Sequence, residues 1–214
     1  MVKQKEVFLK SEGDDWFTRN HHVIQNREID YSESIVSAIV ECKSSGSQQN
    51  RLLEIGCGEG KRLGWISEKL QFDCYGIEPS RKAVTFAQGK GFQVIQGTAD
   101  HLPFENNFFD FLVFGFCLYL CDREDLFRIA QEADRVLKAD SWLVIQDFFS
   151  PTPHKNNYHH KEGLFSFKMD YRKLFDWHPN YVCLSHKVFR HGSKEFTDSP
   201  DDWVATSILQ KSNS

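Results

Sequence analysis

The chain has 214 residues, with 26 lysines and arginines against 30 aspartates and glutamates, a formal net charge of −4. That length suits one domain with a modest addition, and the mild acidic balance advertises no nucleic-acid face, although a local basic patch stays open. The longest apolar run, Phe111 to Cys121, falls well short of the ~20 residues a membrane-spanning helix needs. Phenylalanine is the unusual count, 19 residues in an otherwise polar chain.

The segment Met1 to Glu6 has no apolar signal core, so a cytoplasmic location is expected. None of the six cysteines forms a Cys-x-x-Cys pair. Cys117 and Cys121 are the closest two and lack a second pair to complete a zinc site. Free thiols and no resident metal are the expectation.

In chain order, Ile35, Val36, Ile39 and Val40 recur at helical spacing and predict a helix over about 32–42. Ser44 to Asn50 reads as a loop. Arg51 to Ile55 is a short strand, stopped by Gly56-Cys57-Gly58-Glu59-Gly60, and Leu63, Ile66 and Leu70 follow as a helix. Phe72 to Ile77 is a second strand, and Pro79-Ser80 opens another helix that Gly89 and Gly91 close. Phe92 to Ile95 and Phe109 to Phe114 are the third and fourth strands, the latter apolar enough for burial on both faces. Asp122 to Leu137 is an amphipathic helix, and Trp142 to Ile145 a fifth strand ending at Asp147. A short helix is expected around Asp170 to Trp177, then strands at Tyr181 to Arg190 and Trp203 to Gln210. This alternation predicts the α/β class: a Rossmann-like doubly wound sheet of about seven strands, mostly parallel with a late antiparallel strand.

Ligands of such sheets bind outside the carboxyl ends of the strands, where the topology switches. The first strand ends there in a G-x-G-x-G turn. A dinucleotide fingerprint would place its third glycine at Lys61, not Gly60. Glu78 is the next acid at a strand end and can accept hydrogen bonds from both hydroxyls of a ribose.

Glu54-Ile55-Gly56-Cys57-Gly58-Glu59-Gly60 resembles the first motif of class I S-adenosylmethionine-dependent methyltransferases, and Tyr75-Gly76-Ile77-Glu78-Pro79-Ser80 the second. Gly97 to Phe104 is similar to their adenine-contacting segment, Phe109 to Phe114 with Leu118-Tyr119-Leu120 to their fourth strand and its loop, and Arg135 to Asp140 to the turn before strand five. Ala139-Asp140 stands where the family usually has Pro-Gly. The resemblance covers about 50–147 and implies S-adenosyl-L-methionine as cofactor. It further implies that Gly56, Cys57, Gly58 and Gly60 wrap the methionine part, with Glu54 supporting that loop. Glu78 would hold the ribose, with Pro79 beside it, and Asp100 the adenine amine, with Ala99 and Leu102 beside the ring. Phe114 and Gly115 would floor the site near the methyl group. The chain is then expected as a single domain: an N-terminal cap over 1–50, a cofactor-binding core over 51–147, a substrate-capping segment over 148–180 and final strands over 181–214.

The methyl acceptor must be gripped by what lies outside the motifs. Asp147, expected to face the acceptor, and the nearby His159 and His160 are candidate general bases, unless Tyr158-His159-His160 is only a polar loop. Tyr119 is either a substrate contact or a packing aromatic. Arg19 could pair with the cofactor carboxylate while Trp16 and Phe17 close over it, or the segment is a surface helix. Asp170 reads most simply as a helix cap. Phe148, Phe149, Phe165, Phe167 and Phe175 read as the dry wall of an acceptor pocket. Ser11 to Asn20 is loosely similar to the opening of surface-sugar biosynthesis methyltransferases, which favours a sugar or nucleotide-sugar oxygen or amine as acceptor. Alternatives are a non-catalytic cofactor-binding partner protein and a methyltransferase acting on RNA or protein. A nicotinamide oxidoreductase is disfavoured by Lys61. The oligomeric state is not read from the sequence.

Overall fold

The structure, a computed structural model, describes residues 3–42 and 49–213. Most of the expected loop at Ser44 to Asn50 lies outside the described residues. Strands β1 (Arg51–Ile55), β2 (Asp73–Glu78), β3 (Gln93–Gln96), β4 (Phe109–Gly115), β5 (Leu137–Phe148), β8 (Tyr181–Arg190) and β9 (Trp203–Lys211) form one sheet in the order β3-β2-β1-β4-β5-β9-β8. The first five are mutually parallel, and β9 and β8 close the edge antiparallel. The chain steps outward from β1 to β3 and returns on the other side at β4, so the switch point lies between the ends of β1 and β4.

The central strand β4 shows why its sequence is so apolar. Phe109, Leu112 and Phe114 pack toward α6 (Leu126–Val136), while Phe111 and Val113 pack on the opposite face. That second layer contains α3 (Ser34–Cys42), α4 (Lys61–Leu70) and α5 (Arg81–Gly89). Both faces are covered, so alternation of polar and apolar residues vanishes. The six cysteines are all free.

Three elements differ from expectation. Strand β5 begins at Leu137, not Trp142, with an irregular register opposite Phe109 to Phe111. Asp140 takes φ +56 inside it, a left-handed conformation that Asp tolerates better than most side chains. The helix expected at Asp170 to Trp177 is one 3₁₀ turn, Tyr171–Leu174; Asp170 does cap it, accepting from Arg172 N at 3.2 Å. Residues 150–170 instead form a hairpin, β6 (His154–Asn157) and β7 (Phe165–Lys168).

The N-terminus is helical: α1 (Gln4–Val7), a π-helical turn at Phe8–Glu12 and α2 (Gly13–Asn26).

Beneath the β1 turn lies a buried charge network. The Arg62 guanidinium donates to Glu54 and, at 3.1 Å, to Glu33. Burial works against its charge, and the two carboxylates overcome that and hold it protonated. Glu33 also accepts from Ile35 N and Val36 N, starting α3. One cation thus ties β1, α3 and α4 together. Replacing it leaves the buried Glu54 without a cation and Glu33 with Arg27 alone, so Arg62→Met is expected to lower unfolding free energy by about 3–5 kcal/mol in a urea titration. A change below about 1 kcal/mol would contradict this role.

Candidate active site

The cleft opens at the switch point. Gly56 turns the chain at φ +78, its N–H donating to Ile77 O at 2.8 Å. A Cβ there would sit 2.7 Å from that of Cys117, so only glycine fits. Gly58, at φ +56, has nothing within 4 Å of where a Cβ would be. Its N–H donates to Glu78 Oε2 at 2.9 Å, and Ser80 N donates to Oε1 at 2.9 Å. Burial pushes the Glu78 carboxyl up to about 7 against these two donors.

The cleft encloses about 820 Å³ including its open mouth. Its floor is Ile55, Gly56 and Ile77; Glu78 and Pro79 form one side, and Gly97 to Asp100 the next. Phe116, Cys117, Leu120 and Cys121, which follow β4, form the far wall, and Lys5, Phe8, Gly13 and Trp16 roof it. Asp100 accepts from Lys5 Nζ and from Thr98 Oγ1 at 2.7 Å. Burial would raise its carboxyl, and these partners hold it below the usual carboxylate range.

Of the residues singled out in the sequence, Gly56, Glu78, Pro79, Ala99 and Asp100 line this cleft together with Trp16. Gly58 and Gly60 shape the turn, and Glu54 sits behind it on Arg62. Cys57 is buried toward β2, where its sulfur would clash with a Cβ on Gly76. Leu102 is buried beside the Asp100 segment, its N–H on Glu132 at 2.8 Å. Phe114 packs toward Phe175, and Gly115 faces Glu54 and Arg62.

The acceptor-side residues are dispersed. Asp147 lies outside the cleft lining. Oδ2 accepts from Leu118 N at 2.8 Å and Tyr119 N at 3.3 Å, and Oδ1 from Phe148 N at 2.8 Å. Burial raises its carboxyl to about 7, with those N–H groups opposing. This corrects the expectation that Asp147 faces the acceptor: three backbone donors occupy it, and it braces the turn after β4. His159 and His160 are exposed and also lie outside the lining. Arg19 pairs with Glu12, which is 1% exposed, and reaches Tyr158 Oη at 3.2 Å; it too lies outside the lining. Phe17 packs on His21 and Phe86 rather than over the cleft. Tyr119 lies outside the lining, its ring 4.9 Å from Phe148. Phe175 is core, and Phe165 and Phe167 lie under Lys155 and Arg123. Of the expected phenylalanine wall, Phe148 reaches the site, through Phe116 at 5.4 Å.

Lys5 and Phe8 are lining residues that the sequence does not single out, whereas Phe116, in the phenylalanine cluster of the fourth strand, is expected next to the methyl-transfer site and lines the cleft. Phe116 holds φ +55, an outlier for a bulky side chain and a signature of functional strain. Its N–H is fixed on Gln146 O at 2.8 Å, and its ring also meets His191 at 5.7 Å.

A doubly wound sheet with a glycine turn and a strand-end carboxylate at its switch point defines a Rossmann-like α/β protein. Residues 53–145 match the family model "Methyltransferase domain". An uncharacterized methyltransferase of Bacillus subtilis, YcgJ, is 32% identical over 119 residues, 52% of this chain and 44% of that protein. The chain spans about half the length of that relative and of a second, from Methanocaldococcus jannaschii. Among solved structures, a Methanosarcina mazei S-adenosylmethionine-dependent methyltransferase superposes with TM-score 0.65 at 17% identity, over 82% of this chain and 97% of its own. The Burkholderia thailandensis 1,6-didemethyltoxoflavin-N1-methyltransferase, with that compound and S-adenosylhomocysteine bound, superposes with TM-score 0.70 at 12% identity, over 100% and 92%. At those identities the two structures establish the shared fold. The match to the methyltransferase-domain model spans residues 53–145, from β1 into β5, and includes the glycine turn, Glu78 and Asp100.

Asp147→Ala leaves buried backbone donors unpaired and is expected to cost about 2–4 kcal/mol of stability in urea titrations. His159→Ala and His160→Ala are expected to change it by less than about 0.5 kcal/mol. An Asp147→Ala protein as stable as the wild type would show that Asp147 is no brace.

Proposed function

We propose that the chain transfers a methyl group from S-adenosylmethionine to a small molecule held between the glycine turn and the N-terminal helices. Glu78 is the observation that carries this reading. It lines the cleft at the tip of β2, steadied by two backbone donors, and the space beside Gly58 is open. An ionised carboxylate in that setting accepts from two neighbouring ribose hydroxyls. Pro79 and Ala99 offer apolar surface to a flat base, and Asp100 a carboxylate to its amine. The donor set fits the cofactor.

When bound, S-adenosylmethionine supplies a methyl group on cationic sulfur, already activated for in-line transfer. The protein's part is to hold that methyl against its acceptor and exclude water, which contributes roughly 7–11 kcal/mol where alignment is good. Asp147, His159 and His160 lie outside the lining, which supports positioning over base catalysis by those residues. Trp16 and Phe116 give the acceptor a broad aromatic face, on which a sugar's C–H face or a flat ring can stack. Among the described residues, Lys5 is the sole cation in the lining, and it is already paired. This favours an uncharged acceptor over a nucleotide sugar, whose diphosphate would need cations.

The ribose-binding form of Glu78 is the carboxylate, so protonation competes with the ligand. Affinity for S-adenosylhomocysteine, measured by equilibrium dialysis, is expected to rise with pH up to about 7 and then level off. Glu78→Gln is expected to weaken binding about 10- to 100-fold and to flatten that profile. A pH-independent wild type would contradict the assignment.

A further inference from the structure

The roof of the cleft comes from Gln4–Asn26, outside the matched domain, and is fastened at both rims. At one rim Asp14 Oδ1 accepts from Ser80 Oγ at 2.8 Å and from Lys82 N at 2.9 Å. Gly13 lies so close there that a Cβ would sit 3.0 Å from Ser80 N. At the other rim Gln4 N and Lys5 N donate to the two oxygens of Asp122, at 3.0 and 3.1 Å. The Gln4 side chain donates to Leu120 O at 2.9 Å and accepts from Phe165 N at 2.6 Å. Between the rims, Phe8 and Trp16 face the cleft across the π-helical turn, an irregularity often found at functional sites.

The first rim is sealed by close packing and the second by charge. Lys5 reaches into the cleft, donates to Asp100 Oδ2 and stands 2.7 Å from Asp125 Oδ2. Asp100 and Asp125 are 7% and 8% exposed, so the ammonium holds two nearly buried carboxylates together. Asp100 is also the carboxylate that the proposed function assigns to the adenine amine. Thr98 engages one oxygen of that carboxylate and Lys5 the other, so an approaching amine meets the Lys5 ammonium at the group it would bind.

We propose that Lys5 is the latch of an N-terminal strap, and that it must release Asp100 before the adenine end of the cofactor can seat. This rests on the reading of the cleft as the S-adenosylmethionine site. Entry is then limited by breaking a partly buried ion pair, and added salt speeds it modestly, by screening the charges as they separate and become exposed rather than in the closed pair. The ligand itself carries no net charge, so electrostatic steering contributes little to its salt dependence.

Stopped-flow mixing of the full chain with S-adenosylhomocysteine, followed by tryptophan fluorescence, tests this. Lys5→Met keeps the side-chain length and removes the charge. It is expected to bind about 10-fold faster than wild type in low-salt buffer. Wild type should accelerate as NaCl approaches about 1 M, while Lys5→Met should not. Gln4→Leu loosens the same rim without touching the charges, and should bind faster while keeping the salt response. If Lys5→Met fails to fold, Gln4→Leu decides: faster binding supports the strap, and an unchanged rate overturns it. Equal rates and equal salt response in wild type and Lys5→Met would overturn the latch while leaving the cofactor site intact. Failure of all three proteins to bind S-adenosylhomocysteine would instead overturn the reading of the site, and the latch with it.

Discussion

The site depends on one carboxylate being held where two loops meet. Glu78 ends β2, and its oxygens are claimed by the N–H groups of Gly58 and Ser80, one from the turn after β1 and one from the start of α5. Burial drives the carboxyl toward neutrality while the donors favour its charge. Held by two donors and 8% exposed, the group is rigid, nearly dehydrated and able to accept more hydrogen bonds. The turn can reach it because Gly56 and Gly58 adopt left-handed conformations, and the turn stays in place because Glu54, at the end of β1, is tied to Arg62. Sequence, backbone conformation and buried charge thus converge on the same few ångströms.

The parts legible in the sequence are those governed by local rules. β1 and β8 fall on their expected residues because both are bounded by clear turn signals. Gly56 and Glu78 stand out because glycine turns and strand ends are visible in one dimension, whereas Pro79, Ala99 and Asp100 as site residues follow from the resemblance of their segments to the family's motifs. The hairpin β6–β7 was not, since His154 to Asn157 is polar and exposed throughout and carries no alternation. The helix expected near Asp170 shrank to one turn because Phe175 and Tyr181 are drawn into the core, an effect of tertiary packing. Asp147 was located correctly along the chain but not in its surroundings: no sequence pattern announces three backbone donors converging on one side chain. Lys5 is the extreme case, lying 95 residues from its partner Asp100.

The roof gives the domain its individuality. The matched segment, 53–145, supplies the floor, the glycine turn, two sides and the far wall of the cleft. Lys5, Phe8, Gly13 and Trp16 come from before it. The turn between β8 and β9 adds His191 beside Phe116 and Phe148, so the final hairpin reaches the aromatic end of the site as well as completing the sheet. The surplus of phenylalanine is divided accordingly between a two-faced core and a small aromatic cluster around a strained Phe116.

The cleft between the glycine turn and Glu78 is the proposed S-adenosylmethionine site. Calorimetric titration of the full chain with S-adenosylhomocysteine and, separately, with NAD tests it most directly. One molecule of S-adenosylhomocysteine bound per chain, with no heat from NAD, is the predicted result. Binding of NAD with none of S-adenosylhomocysteine would contradict it.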